Sequence, residues 1–177
     1  MTRFATKLAI AVTLAALGWA SGAGSAAAQD QVARGKYLVT IMGCNDCHTA
    51  GALLGKPDMA HMLSGSDVGF EVPGLGVFVG RNLTPDKETG LGNWSAQEII
   101  TAFTTGKRPD GRILSPAMPY ENFKALTPAD AQAIAAFLKS LPPTHNPIPG
   151  PFGPNEKITV LYEKIVPGNG MAPPPGK

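Results

Sequence analysis

The chain has 177 residues with 15 basic and 13 acidic side chains, so its formal net charge is only +2. This length is typical of one modest domain, and so small a positive excess gives no reason to expect a nucleic-acid partner. Two cysteines are too few for the disulfide framework of a small secreted domain. Three widely separated histidines accompany them, so a zinc site with two Cys/His ligand pairs is also excluded.

The N-terminal residues have the features of an export signal. Arg3 and Lys7 form a short basic region, and residues 8–20 are apolar. Small residues follow and end in Ala26-Ala27-Ala28, a pattern typical of signal cleavage. We interpret residues 1–28 as a signal peptide and expect a periplasmic protein, in which basic and acidic side chains are equal at 13 each. An uncleaved segment would instead place the chain at the membrane.

Residues 30–42 form the first predicted helix of the mature chain. Asp30 is the expected N-cap, and apolar side chains recur at helical spacing after it. Gly35 interrupts this pattern at a cost of about 0.5–1 kcal/mol relative to alanine. We interpret it as a point of close approach near Phe137 or Leu138 of the last predicted helix; an ordinary surface glycine is the alternative.

The segment Cys44-Asn45-Asp46-Cys47-His48 carries the strongest functional signal. Residues at i and i+3 lie on the same side of a helical turn, so both thiols can reach the vinyl groups of one porphyrin and form thioethers. His48 follows directly and can offer an imidazole nitrogen to the iron as the proximal ligand. This spacing predicts one haem c, attached through Cys44 and Cys47.

Two other readings of the cysteine pair are weaker. A thioredoxin-like redox pair has the same spacing but belongs in a βαβ unit, and the sequence shows no such alternation. A disulfide between Cys44 and Cys47 would close a very small loop and constrain little.

Residues 49–93 predict a long, irregular, glycine-rich loop. A small hairpin is possible within residues 69–80, around Pro73-Gly74. Such a long loop is unusual in a compact domain, but irregular chain can pack against a large apolar cofactor. Arg81 is a candidate partner for a haem propionate, with a solvated surface charge as the alternative.

Two further helices have clear start signals. Ser95 to Glu98 form a capping box, and Gly106 is expected to end the helix that follows. Thr127 is the predicted cap of the last helix, with Pro128 at its first position and Asp130 completing a short capping box.

Met118 is the predicted sixth ligand of the iron. Prolines on both sides restrict its backbone, and a thioether is a soft ligand that favours reduced iron. Filling a core gap is the alternative role for this methionine. The competing ligands are Met59, His61 and Met62, all in the irregular loop.

Proline and glycine become frequent near the C-terminus. We therefore divide the chain into a signal peptide at 1–28, a haem domain at 29–143 and a Pro/Gly-rich strap or tail at 144–177. The last segment is expected to lie over the core or to dock a partner. Residues 171–175 are expected to be disordered.

With these pieces in place, the chain resembles the class I c-type cytochromes. Within that class it is most similar to the haem domains of cytochrome c subunits of bacterial periplasmic alcohol and aldehyde dehydrogenases. The resemblance covers roughly residues 31–143 and rests on residues 35–38, 44–48, 82–86, 89–95, 108–112, 116–120 and 133–143.

The resemblance implies a mostly α fold, the class I cytochrome c fold, in which the first and last helices cross beside one covalently bound haem. It also implies His48 and Met118 as axial ligands. Those subunits usually carry several haem domains and a membrane-binding tail, whereas this sequence has one haem motif.

The sequence thus predicts a periplasmic electron carrier rather than an enzyme, because no general acid or base stands in a recognisable setting. The expected donor is a periplasmic dehydrogenase, and the expected acceptor is a respiratory-chain cytochrome or oxidase. Two alternatives remain open. In the first, the chain is a fixed subunit of a dehydrogenase complex and docks through its tail. In the second, Met118 does not bind iron, and the chain is a gas-binding or peroxide-reactive haem protein.

Overall fold

A computed structural model describes residues 20–168 of the chain. Residues 1–19, which hold the basic and apolar parts of the predicted signal peptide, lie outside the described residues, as do residues 171–175 of the predicted disordered tail. No helix in the described part combines the length and apolarity needed to cross a bilayer.

The described residues form helices and one small sheet, which is consistent with the predicted cytochrome c fold. The elements in chain order are α1 (Ala20–Ile41), α2 (Cys44–His48), a 3-10 helix (Met59–His61), β1 (Val68–Val72), β2 (Gly76–Val79), α3 (Ala96–Thr105), α4 (Tyr120–Phe123), α5 (Pro128–Ser140) and β3 (Leu161–Glu163).

The start of α1 differs from the prediction. The helix already runs from Ala20, so Asp30 lies inside it and does not act as an N-cap. The residues before Asp30 are rich in alanine, the residue with the highest helix propensity, and they continue the helix backwards.

The crossing of α1 and α5 organises the main core. Gly35 is buried there, and a Cβ added to it would lie 1.9 Å from the carbonyl oxygen of Ala133 and 2.7 Å from Cβ of Phe137. No side chain fits in that space, so the predicted close approach at Gly35 is confirmed. The buried apolar members of this core are Leu38, Val39, Leu63, Ile99, Phe103, Ala131, Ala133, Ile134, Ala135, Phe137, Leu138 and Leu141.

The predicted caps of α3 and α5 are present except for the part assigned to Asp130. Ser95 and Glu98 form the predicted reciprocal box at the start of α3. At α5 the Thr127 hydroxyl accepts a hydrogen bond from the backbone N–H of Asp130 at 3.1 Å, as predicted. The Asp130 carboxylate, however, accepts a hydrogen bond from Nε of Arg34 at 2.9 Å and does not complete the box. The distant guanidinium is a stronger, charge-assisted donor than a backbone N–H.

The predicted hairpin is present and is extended by a third strand. Strand β1 pairs antiparallel with β2, placing Phe70 opposite Phe78, and β3 adds to β1 in parallel. From here on, the strap means residues 144–152, the part of the predicted segment 144–177 that contacts the hairpin. The backbone N–H and C=O of Val77 bond to the backbone of Phe152, both at 2.9 Å, and the two side chains share a second small core.

Candidate haem-binding site

A cavity of about 910 Å³ lies between α2, the chain after β2, α3, the loop before α4, and α5. Ligand cavities are typically about 300–1,000 Å³, so this one is at the upper end and suits a large cofactor. Cys44, Cys47, His48 and Met118 all line it. Apolar side chains from the main core form much of the remaining wall, among them Val39, Leu83, Leu91, Ile99, Phe103, Ile134 and Leu138.

Helix α2 presents the two cysteines. It starts after Gly43, which has a positive φ of 68°, and its other end is tied to the core through the fully buried Thr49. The backbone N–H of Thr49 donates to the carbonyl of Asn45 at 3.0 Å, and its hydroxyl accepts from the N–H of Leu63 at 2.9 Å. This short helix is therefore tied to the core at its C-terminal end.

Burial disfavours the thiolate form of both cysteines. It raises the pKa of Cys44 to about 11 and also raises the pKa of Cys47. Reactive redox cysteines and thiolate metal ligands need a lowered pKa instead. The environment of the pair therefore argues against the thioredoxin-like reading.

The ring of His48 is held in one tautomer. Its Nδ1 lies 2.7 Å from the carbonyl oxygen of Arg81. A carbonyl oxygen only accepts hydrogen bonds, so Nδ1 must carry the proton and Nε2 keeps its lone pair. Burial lowers the pKa of His48, which favours the neutral ring. A neutral imidazole with its second nitrogen hydrogen-bonded is the usual form of a histidine metal ligand.

Gly80 makes this contact possible. A Cβ at Gly80 would lie 1.6 Å from the carbonyl oxygen of Cys47 and 3.4 Å from Nδ1 of His48. Only glycine lets the chain leaving β2 pass directly over α2 and place Arg81 beside His48. Gly80 had no predicted role, although a glycine at the end of an apolar strand is a signal that could have pointed to it.

Arg81 is half-buried and lines the cavity, so its contact with a haem propionate stays a prediction. Its guanidinium donates to the backbone carbonyls of Ile148 and Gly150 in the strap. Burial, followed by the nearby charges of Arg108 and Arg112, lowers the pKa of Arg81. The side chain is thus bound by the strap instead of being a solvated surface charge.

Arg108 is a donor that sequence reasoning missed. It lines the cavity and lies 5.5 Å from the centre of the Trp94 ring. Its Nη2 is 3.3 Å from a carboxylate oxygen of Asp110, but its buried Nε has no hydrogen-bond partner among the described residues. The Nε–H is thus a buried donor on a positively charged group beside the cavity. Such a donor fits a cofactor with anionic groups at its edge.

The rival iron ligands lie outside the cavity. The side chain of Met59 is 53% exposed, and Nδ1 of the exposed His61 lies 2.8 Å from the carboxylate of Asp58. Met62 packs against the main core. Among the four candidates for the sixth position, only Met118 lines the cavity. Its backbone N–H donates to the carbonyl of Ser115 at 2.9 Å, so the proline-flanked loop forms a tight turn.

Comparison with known proteins identifies the family. The family model described as cytochrome c matches residues 32–142. The cytochrome c subunit of alcohol dehydrogenase (quinone) from Gluconobacter oxydans is 34% identical over 132 residues, which cover 74% of this chain and 26% of that subunit. The fructose dehydrogenase cytochrome subunit of Gluconobacter japonicus is 31% identical over 114 residues, with 64% and 22% covered. The gluconate 2-dehydrogenase cytochrome c subunit of Pantoea cypripedii is 30% identical over 131 residues, with 74% and 28% covered.

The chain spans only about a quarter of the length of each of these three relatives. The family model covers the chain from the middle of α1 to the end of α5, including the whole of the predicted attachment motif. A cytochrome c domain implies covalently bound haem c and an electron-transfer role, which agrees with the cysteines, the histidine and the large cavity. The chain therefore belongs to the cytochrome c family, as a class I c-type cytochrome.

Proposed function

We propose that the protein is a periplasmic monohaem cytochrome that passes single electrons from a dehydrogenase to a downstream acceptor. The observation that supports this most strongly is that Cys44, Cys47, His48 and Met118 line one cavity. Met118 lies far outside the motif at residues 44–48, so the motif alone did not guarantee that all four side chains would line the same cavity.

Each of these side chains has a proposed role. Cys44 and Cys47 hold the haem through thioethers, and His48 offers its Nε2 to the iron. Met118 offers a thioether sulfur from the loop before α4. When bound, haem c supplies a one-electron change between Fe(III) and Fe(II). The apolar cavity wall excludes water and disfavours the extra positive charge of the ferric state, which raises the potential, as does methionine ligation.

The partners follow from the relatives and remain part of the proposal. The relatives named above are subunits of dehydrogenases, so a dehydrogenase is the proposed electron donor. A respiratory-chain cytochrome or oxidase is the proposed acceptor, and residues 1–28 are the proposed signal peptide. Electron-transfer encounters of this kind usually have small interfaces, below about 1,200 Å², and no catalytic residue is assigned.

A fixed subunit of a dehydrogenase complex is the second candidate, because the relatives themselves are subunits. Co-purification separates the two: a fixed subunit stays with its dehydrogenase through size-exclusion chromatography, whereas a carrier elutes alone. Deleting residues 144–177 would be a poor test, because the strap is bonded to the haem domain.

The identity of the sixth ligand decides between electron transfer and gas or peroxide chemistry. The experiment compares Met118→Ala with Met59→Ala, a matched variant at an exposed methionine outside the cavity. We expect the ferric parent and Met59→Ala to show the weak far-red band of sulfur-ligated haem, and Met118→Ala to lose it. Reduced Met118→Ala should also bind CO readily.

Two results would contradict the proposal. Persistence of the far-red band in Met118→Ala would show that another side chain binds the iron. Absence of the band in the parent, with ready CO binding, would favour gas or peroxide chemistry over electron transfer. Haem count is tested separately, because the mass of the denatured holoprotein should equal the polypeptide plus one haem.

A further inference from the structure

We infer that the strap is a positioning element for the iron ligand: it holds the side chain of Arg81, whose carbonyl in turn holds the ring of His48. This inference rests on the proposed haem function. It assigns the strap and Arg81 a role in setting the orientation of the proximal imidazole, without contact between the strap and the iron.

The first step is the contact between the strap and Arg81. Nη1 of Arg81 donates to the carbonyl of Ile148, and Nη2 donates to the carbonyl of Gly150. The neighbouring Arg108 and Arg112 both pair with the carboxylate of Asp110, whereas the hydrogen bonds of Arg81 go to neutral strap carbonyls. Within residues 20–168, this half-buried charge therefore depends on the strap for its hydrogen bonds.

The second step is the contact between Arg81 and His48. The carbonyl of Arg81 lies 2.7 Å from Nδ1 of His48. This carbonyl and the guanidinium bound by the strap both belong to Arg81. The preceding residue, Gly80, is packed against the carbonyl of Cys47. A residue held at its side chain and at the preceding residue has little freedom to rotate its carbonyl. Two hydrogen-bonding steps therefore connect the strap to the ring.

The third step is that the strap has attachments of its own. The N–H of Asn146 donates to Thr89 at 3.0 Å, and its side-chain amide donates to the carbonyl of Ser64 at 3.0 Å. At the other end, Phe152 pairs with Val77 through two backbone hydrogen bonds. The carbonyls that receive Arg81 lie between these fixed points.

Packing holds the middle of the strap as well. Ile148 packs against the small core of Val77, Val79 and Phe152, and its Cδ1 comes within 2.4 Å of the Cβ position of Gly65. A larger residue at Gly65 would therefore push Ile148 outwards. The strap is thus rigid enough to restrain Arg81.

The chemical consequence concerns the ligand nitrogen. A hydrogen bond from the far nitrogen of a metal-bound histidine fixes its tautomer and ring orientation, and makes the coordinating nitrogen more basic. If the strap loosens, Arg81 loses its anchor, and the hydrogen bond to His48 weakens. The strap thereby influences the iron from outside its coordination shell.

The test measures solvent exchange of the Nδ1 proton of His48 by NMR in the reduced, haem-loaded, full-length protein. The variants are Arg81→Leu, Arg81→Lys and Ile148→Ala, with Arg112→Leu as the matched control. Arg112 is a neighbouring guanidinium, exposed and paired with Asp110, so its loss removes the same charge but leaves the strap intact.

We expect exchange about tenfold faster in Arg81→Leu, the effect of losing roughly one net hydrogen bond. Arg81→Lys, which can still donate to one carbonyl, should recover part of the protection. Ile148→Ala should accelerate exchange in the same direction and remains informative if Arg81→Leu does not fold. Arg81→Leu and Ile148→Ala break the same contact between the strap and Arg81. Their effects on exchange in the double variant should therefore be less than additive.

Unchanged exchange in Arg81→Leu or, if that variant does not fold, in Ile148→Ala would overturn the inference. Equally fast exchange in Arg112→Leu would also overturn it, because the loss of a positive charge, and not the loss of the strap contact, would then explain the effect. Strict additivity in the double variant would separate the strap from Arg81. A parent without covalent haem would overturn the proposed function, whereas a haem-loaded parent with any of the preceding results overturns only this inference.

Discussion

Replacing Gly35 with alanine tests the helix crossing on which the haem cavity depends. Two opposing effects must be compared. Alanine is a better helix former than glycine and would stabilise α1 by about 0.5–1 kcal/mol. The added Cβ, however, would lie 1.9 Å from the carbonyl oxygen of Ala133, and real Cβ atoms essentially never come closer than 3.0 Å to such a neighbour.

The obstacle at Gly35 is backbone, so it cannot be relieved by a change of rotamer. The two helices would have to separate locally by about 1.1 Å. A gap of about 0.5–1 Å already loses a quarter to a half of the dispersion energy between facing atoms, and overpacked cores lose about 1–3 kcal/mol. We place the steric cost at the upper end of that range, about 3 kcal/mol, so the net loss of stability is about 2–2.5 kcal/mol.

The assay is urea unfolding of haem-loaded protein followed by circular dichroism, with the free energy of unfolding obtained by linear extrapolation. Lys36→Ala is the control, because it exchanges two good helix formers at an exposed position of the same helix and should change stability by less than about 0.5 kcal/mol. A Gly35→Ala variant as stable as the parent, or more stable, would refute the helix crossing described above.

Three further predictions concern the site and the pH dependence of stability. Gly80→Ala should prevent normal haem attachment, because its Cβ would meet the carbonyl of Cys47 at 1.6 Å; haem staining after denaturing electrophoresis should show the loss, while Gly153→Ala, in a roomier site, should stain like the parent. Asn82→Ala should cost about 1–3 kcal/mol in urea unfolding, because this 1% exposed side chain donates to the Thr144 carbonyl and accepts two hydrogen bonds from Thr84. The hydrogen bond from Arg34 lowers the pKa of Asp130, so its contribution to stability is full above the unfolded-state pKa of about 3.9 and falls as the pH drops through the lower folded-state pKa; Asp130→Asn should therefore lose less stability than the parent on acidification, and an equal loss in melts at several pH values would contradict this.

Sequence patterns worked best where the physical cause is local. The spacing of Cys44, Cys47 and His48 is a property of one helical turn, and the capping box at Ser95 spans four residues. Gly35 was informative because a glycine inside a helix costs stability and therefore needs a reason. Ligation by Met118 stays a prediction, although this residue lines the cavity.

The two wrong assignments show where local reasoning ends. Asp30 has a good N-cap side chain, but in the full-length chain the alanine-rich residues before it, which belong to the predicted signal peptide, continue the helix. Asp130 is in the right position for a capping box, but its carboxylate pairs with Arg34, 96 residues earlier in the chain. In both cases a competing interaction outside the motif was energetically better.

The sequence by itself determined the family and the main helices, because the matching motifs, the helix caps and the apolar spacing are each local features of the chain; haem attachment through Cys44 and Cys47 stays a prediction. Only the tertiary structure decided how the ring of His48 is held. The contact between His48 and Arg81 spans 33 residues, and that between Arg81 and Ile148 spans 67. Both use backbone carbonyls, which every residue carries, so no side-chain pattern marks them. Such contacts exist only once the hairpin, α2 and the strap have packed together.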